Sequence, residues 1–549
     1  MRDYYGLGPY QRVISTTSKD AQLWFDRGLM WCYGFNHDES VACYQKAIDA
    51  DKNCAIAYWG IAYASGCNYN KPWEAFDEED ALQSVARAYD STQNALVNIE
   101  HANGAEATLI RALEFRYPSR LPTKDMNTWN DDYANAMRKV YSHFSDDLDV
   151  ATLFAEAIMN RTPCALWDLK TGEIAKGADT AEAQVVLVRA MQQDNGMIHP
   201  GILHLYIHLM EMSPHPERAL KAADALRDLA PDVGHLQHMP THIDVLCGHY
   251  ERVISSNNAA IAADRKFLER EGPLNFYSLY RCHDYHFKIY GAMFMGRYSD
   301  AIGTSNEMIS TLPEELLETQ SPPMADWLEG FISMKQHVYI RFGKWQKIID
   351  QPMPYNPSLF CVTTAMMHYA KSVAWAASGN VSKAEEHVIL FEAAFKRVPD
   401  SRYIFNNSCL EILNVAREMM LGEIEYRKTN YDMAFAHLRK SVELDDNLTY
   451  DEPWGWMQPT RHALAALLLE QGHVEEAAAV YKADLGLDST LSRASQHPNN
   501  VWSLPGYHDC LTRLDQTEEA NIIKQRLDLA NARTDVPVKS SCFCKMGSH

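Results

Sequence analysis

The chain has 549 residues, 46% hydrophobic and 22% charged, a composition that supports a folded core and excludes a collagenous or wholly disordered chain. Its 51 Lys and Arg against 72 Asp and Glu give a net charge of −21, opposite to the basic footprint that phosphate backbones and anionic lipid surfaces require. Nucleic-acid and membrane partners are therefore not expected.

No apolar run reaches the length of a membrane span, and the opening M-R-D-Y-Y-G-L-G-P-Y lacks the basic-then-apolar layout of a secretory signal. The expected compartment is cytoplasmic. From Asp20 a helical period sets in. Trp24, Gly28 and Trp31 stand at W-x3-G-x2-aromatic spacing, Tyr44 and Ala47 follow at aromatic-x2-A, and Tyr58, Ile61 and Ala62 repeat the step from about Ala55. This spacing predicts helix-turn-helix units of roughly 34 residues. C-N-Y-N-K-P-W, Cys67 to Trp73, reads as a turn-rich loop, followed by a polar helix to about Asn98. Tyr117 to Asn130 and Asn160 to Ala178 read as further loops, serving either as binding elements or as plain end-caps.

Regular units resume near Leu148. Ala219 with Pro231 and Ala301 with Pro313 mark the small residue that opens a second helix and the proline that ends it. Gly379 with Ala384, Gly422 with Ala434, Gly472 with Ala477 and Tyr481, and Ala520 mark later units. The pattern resembles the tetratricopeptide repeat. The expected fold class is all-α: a TPR-like α-solenoid, a right-handed superhelix of helix-turn-helix repeats with irregular loops. It is expected to form one domain over 1–549, with N-terminal repeats at about 20–70, a less regular section at about 71–147, the main array at about 148–532 and a cysteine tail at 533–544.

Histidines recur on this register. His204, His208 and Glu211 fall at positions 5, 9 and 12 of one first helix, and His235, His238 and His242 at positions 2, 5 and 9 of the next. His283 and His286 take positions 2 and 5 of a third unit, and His337 position 9 of a fourth. Residues three or four apart share one helical stripe, and in tetratricopeptide proteins that stripe lines the inner groove. Helices packed 8–10 Å apart let imidazoles of neighbours reach one ion. His204, His208, Glu211, His235, His238, His242, His283 and His286 are thus candidate metal ligands, with His337 secondary. A histidine taken singly is more often a hydrogen-bonding or ring-packing residue than a ligand; the clustering favours metal. Pro240 disfavours helix at Met239, so His235 and His238 are expected on a bent entry.

Further along, Glu423 and Tyr426 fall at groove positions, and Glu423 is a secondary candidate. Y-D-E-P-W-G-W-M-Q-P-T-R-H, Tyr450 to His462, breaks helix with two prolines and a glycine. Glu452 and His462 are acid-base candidates there, as is Glu211 in its own cluster, with Trp454 and Trp456 as walls of a small-molecule site. The alternative is that the indoles plug a gap between units and Arg461 pairs with Asp451. Most of the 12 cysteines, among them Cys32, Cys43, Cys54, Cys164, Cys247, Cys282 and Cys409, are scattered without framework spacing, as expected of small hydrophobes in a reducing compartment. Cys542 and Cys544 form a C-F-C pair in the tail and are secondary candidates as soft ligands or a redox couple. Met546 to His549 resemble an expression remnant and are set aside.

The segments G-F-N-H-D-E-S, A-Y-W-G-I-A-Y, N-Y-N-K-P-W, H-L-Y-I-H-L-M-E-M-S-P-H-P-E, G-H-L-Q-H-M-P-T-H-I, the Tyr450 to His462 loop, H-P-N-N-V-W-S-L and S-S-C-F-C together resemble a family of long tetratricopeptide proteins of bacteria and fungi. The resemblance spans about Asp20 to Cys544. It implies an all-helical superhelix and includes the groove histidines and the cysteine tail, but no established reaction.

Three functions follow as expectations. The first is a metalloenzyme acting on a small molecule in the groove, with one or two copper, iron or zinc ions per chain. Oxidoreductase chemistry on copper or iron is favoured, because a histidine-rich site with few carboxylates suits those metals and oxygen chemistry better than magnesium or calcium; a zinc hydrolase, with Glu211 or Glu452 handling protons, is a variant. The second is a non-catalytic scaffold for a peptide or protein partner. The third is a metal carrier loaded through the cysteine pair. No glycine-rich phosphate loop follows a strand, so no nucleotide cofactor is expected. Oligomeric state is left open.

Overall fold

The computed structural model describes residues 4–544, so the segment Met546 to His549 lies outside the described residues. Among these residues the chain is helical nearly throughout, from Lys19–Tyr33 to Thr517–Asn531, with a two-stranded antiparallel ladder of Tyr403–Ile404 and Asn407–Ser408. The fold is all-α and tetratricopeptide-like. No described helix is long and apolar enough to cross a membrane. The chain divides into two compact units, Met1–Ile243 with Ala259–Glu271, and Asp244–Asn258 with Gly272–His549.

The first unit shows why the sequence spacing makes hairpins. Lys19–Tyr33 starts where the Ser18 side chain accepts from the Ala21 N–H, and His37–Ala50 where Asn36 does the same for Glu39. Tyr44 of the second helix is fully buried between two glycines. A Cβ at Gly28 or at Gly60 would meet the Tyr44 ring at 2.7 Å, so the recurring small residue is the socket for the recurring aromatic. An extended segment before the first helix straps the unit together. Arg12 bonds Asp147 at 2.8 and 2.9 Å and Asp149 at 2.6 Å. Asn127–His143 starts inside the expected 117–130 loop, whereas the loop from Asn160 does run to Ala178, pinned by a Trp167–Ile174 bridge.

The second unit repeats the hairpin in Cys361–Ala377 with Val381–Phe395, Cys409–Arg427 with Tyr431–Asp446, Arg461–Glu470 with Val474–Asp484, and Ser503–Arg513 with Thr517–Asn531. Each turn holds a left-handed residue: Gly379, Thr429, Gly472 and Asp515. Leu438, Leu464, Leu468, Tyr481, Leu504, Tyr507, Ile523 and Leu527 form a continuous buried core through the last three pairs. Apolar stripes of successive helices stack here as the period predicts.

Candidate metal centre

Helix Pro200–Glu211 carries His204, His208 and Glu211 on one face, as their spacing requires. Pro200 suits its first turn, and His199 caps it: Nδ1 accepts from the Ile202 N–H at 3.2 Å while Nε2 donates to Asp149 at 3.1 Å. Asp149 also accepts from Tyr10 and Tyr33. Burial alone would raise its carboxyl, but His199 and Arg12 hold it well below the usual carboxylate range.

His235 and His238 come from Gly234–His238, and His242 from Pro240–Leu246. The sequence places a non-helical residue before Pro240, yet Met239 keeps helical dihedrals, φ −49° and ψ −37°. Its N–H still bonds His235 O at 3.0 Å, and Pro240 opens the next helix at the position where a missing N–H matters least. The break is therefore slight. His238 and His242 stay one turn apart, with their Nε2 atoms separated by 2.8 Å.

Six of the sequence candidates thus meet in the first unit. Ligand atoms of His204, His208 and His235 lie within 4.8 Å of one another, as do those of His208, Glu211 and His242. The two trios differ in chemistry. In the second, His208 Nδ1 donates to Glu211 Oε1 at 2.9 Å and His242 Nδ1 to Oε2 at 2.6 Å. These are charge-assisted hydrogen-bond lengths, shorter than the roughly 3.3 Å between two atoms bound tetrahedrally to one zinc-sized ion. Glu211, expected as a ligand or acid-base group, has both oxygens committed to imidazoles. It orients rings, as a carboxylate behind a metal-bound histidine does.

In the first trio the ring protons of His204 and His208 are accounted for. His204 Nδ1 donates to Tyr33 O at 2.7 Å, and His208 Nδ1 to Glu211. Each ring therefore presents Nε2 as a lone pair, and both Nε2 atoms are buried with no hydrogen-bond partner. Burial pushes His204 well below its ordinary value and His208 down to about 3. Both are neutral at pH 7, the form that binds metal. Neutral nitrogens, a third imidazole alongside and a carboxylate fixing one ring fit copper, iron or zinc.

The stripe does not line an open groove. His204, His208, Glu211, His235, His238 and His242 are all 0–2% exposed. Phe35 covers three of them, its ring centroid 4.5 Å from His204, 5.3 Å from His235 and 5.9 Å from His208, and Tyr69 lies 4.8 Å from His208. Neither aromatic was picked out as a site residue. Their signal was present in G-F-N-H and N-Y-N-K-P-W, where Phe35 takes a left-handed turn conformation (φ 55°) and Tyr69 sits on a bridged loop.

The other candidates belong to the second unit. His283 packs edge-on against Phe405 at 4.8 Å, and His286 and His337 are fully buried. Glu423 pairs with Arg427 at 2.7 Å, and Tyr426 donates to Glu470 at 2.6 Å. Asp451 accepts from Asn407 at 3.0 Å; burial, then neighbouring Glu452, raises its carboxyl. Trp454 donates to Asp445, and Trp456 is buried. Arg461 pairs with Asp446 at 2.6 Å rather than with Asp451.

His462 has no nitrogen to spare for acid-base work. Nδ1 accepts from Arg341 at 2.8 Å and Nε2 donates to Asp484 at 2.9 Å. Asp484, missed in the sequence, also accepts from His497 at 2.8 Å, Asn500 at 2.9 Å and Ser503 at 2.6 Å. Cys542 and Cys544 are bonded to each other as a disulfide, and the tail docks through Ser541 on Tyr481, His462 and Arg341. Their sulfurs are thereby committed to one another rather than to an ion. A cavity of about 280 Å³ lined by His249, Arg252, Phe294, Arg526 and Arg533 contains none of the candidate residues.

No family model and no curated protein matches this chain. Solved structures do. The chain is similar to the APC/C hetero-tetramer Cut9–Hcn1 (15% identity, TM-score 0.31, covering 90% of this chain and 76% of that one). It is similar also to yeast Tom70 (10%, 0.26, 92% and 96%) and to the P58(IPK) TPR domain (13%, 0.20, 84% and 99%).

Proposed function

We propose that this protein is a tetratricopeptide-type binding scaffold that carries a transition-metal centre, copper, iron or zinc, at His204, His208 and His235, with Glu211 as the orienting carboxylate. The observation that carries this is the pair of buried Nε2 lone pairs on His204 and His208, each held in that tautomer by a bond on the far side of its ring. A buried acceptor left unmade costs about 1–3 kcal/mol, and an ion between the rings removes that cost twice over. His242 and His238 extend the cluster through their facing Nε2 atoms.

A scaffold for a peptide or protein partner has better support than an oxidoreductase acting on a small molecule. Hairpin repeats need only exposed helix faces to dock a chain, whereas a substrate would have to reach ligands that are 0–2% exposed beneath Phe35 and Tyr69. The carrier reading loses its loading route while Cys542 and Cys544 are joined. The test is elemental analysis of full-length protein prepared without a histidine tag. About one transition-metal ion per chain is expected, lost in a His204→Ala/His208→Ala variant that keeps its helical circular dichroism. Trace metal in freshly prepared protein, grown with copper, iron and zinc supplied, leaves the scaffold without a centre.

A further inference from the structure

The tail is held on the second unit by contacts that leave its sulfurs out. Arg341 donates to Ser541 O at 2.7 Å, and Arg427 donates to Cys544 O. Ser541 Oγ lies 2.7 Å from Tyr481 Oη and donates to His462 O at 2.6 Å. Phe543 closes over Gly343, where a Cβ would meet it at 2.8 Å. A segment seated this way does not need a covalent link to stay docked. A ring joining cysteines only two positions apart also removes little chain entropy from the unfolded state. Reactivity explains the disulfide better than stability does.

Its two sulfurs stand in different surroundings. Cys544 is 3% exposed and belongs to the core that includes Leu438, Leu464 and Tyr481. Cys542 is half-buried at the edge of that core. The Cys544 N–H points at Cys542 Sγ over 3.1 Å, a donor that favours negative charge on that sulfur when the pair is reduced. Beside the pair opens a pocket of about 40 Å³, lined by Arg341, Tyr369, Glu423, Gln458 and the tail itself. That is room for a few waters, hence for the CH2–S of an incoming thiol but not for a whole ligand. An outer sulfur open to attack and an inner one held in place suit exchange through a mixed disulfide.

We propose that Cys542 and Cys544 are a thiol–disulfide exchange site that oxidises a dithiol, with Cys542 as the attacked sulfur and Cys544 as the leaving one. A substrate thiolate bonds to Cys542 Sγ, the Cys542–Cys544 bond breaks, and its electron pair leaves on Cys544 Sγ. The substrate's second thiol then attacks the substrate sulfur bound to Cys542, which frees Cys542 and closes the substrate disulfide. Two electrons and two protons pass from the dithiol to the cysteine pair, and no further oxidant enters. The dithiol is a small molecule or a cysteine pair on a peptide. The histidine–glutamate cluster takes no part.

The test uses full-length, disulfide-intact protein, folded and anaerobic. Reduced glutathione is added, exchange is quenched with acid, thiols are capped with N-ethylmaleimide, and the adduct is located by peptide mass spectrometry. Expected is glutathione on Cys542 with Cys544 capped, in at least about 10-fold excess over the reverse pattern. That preference should vanish in urea, where nothing distinguishes the two sulfurs. Dithiothreitol and a synthetic Cys-x-x-Cys peptide are then supplied separately. Whichever is recovered as its disulfide, about one per chain, identifies the source, and Cys542→Ser/Cys544→Ser protein should oxidise neither. An adduct on Cys544, a preference that persists in urea, or a disulfide that resists both dithiols until the chain is unfolded overturns the proposal. All three of those readouts come from the unsubstituted protein.

Discussion

His208 donates its Nδ1–H to Glu211 over 2.9 Å, and the same carboxylate takes His242 Nδ1 at 2.6 Å from a different helix. One buried anion thus sets the orientation of two rings and the tautomer of both.

Glu211→Gln should expose that dependence. An amide offers one acceptor oxygen, so one of the two rings loses its partner or flips. Metal affinity, measured by chelator competition, is expected to fall 10–100-fold. Unchanged affinity would show that the carboxylate is not needed to aim the lone pairs.

The Tyr44 socket predicts a contrast between glycines. At Gly60 a Cβ meets the ring at 2.7 Å, and at Gly303, also on a helix, nothing lies within 4 Å. Gly60→Ala should lose about 1–3 kcal/mol in urea unfolding through overpacking. Gly303→Ala should gain up to about 1 kcal/mol from helix propensity. Equal effects at the two sites would remove the steric account of the repeat's small residue.

Acid should destabilise the metal-free protein in two stages. Burial lowers His208, His286 and His337 from 6.5 to about 3. The unfolded chain therefore binds more protons than the native one between those values, and stability falls as pH drops from about 6.5. Asp484 acts lower down. Burial would raise it, but His462 and His497 hold it well below 3.8, so its contribution is complete above that value and is lost as pH falls beneath it. A melting temperature flat from pH 7 to pH 4 would contradict the first stage.

Asp484→Asn isolates the second network. The carboxylate accepts from His462, His497, Asn500 and Ser503 in a fully buried setting. Removing its charge should cost about 3 kcal/mol in urea unfolding without changing the metal content of the first cluster. Loss of metal in this variant would show that the two networks are not independent.

The helical hairpins were legible because they rest on local spacing. Trp24, Gly28, Tyr44 and Ala47 report a period that one turn of helix imposes, and the socket for Tyr44 followed. The histidine cluster was legible for the same reason, since His204, His208 and Glu211 share a face whatever surrounds them. What covers that face was not. Phe35 and Tyr69 reach it from loops whose paths depend on tertiary packing, so an open groove was expected where a closed core stands. The role of Glu211 depended on which atoms face it, which spacing does not encode. Asp484 escaped notice because its partners are scattered, His462 on the preceding helix and His497, Asn500 and Ser503 on the stretch that follows.

The strap at the start of the chain has a kinetic consequence. Arg12 and Asp147 are 135 positions apart, and Asp149 in turn anchors His199, the residue that opens the helix bearing His204 and His208. Bringing such distant segments together spends chain entropy before any contact rewards it, and contacts of this range slow folding. We expect the cluster to close after this strap, so supplying metal during refolding should leave the refolding rate unchanged.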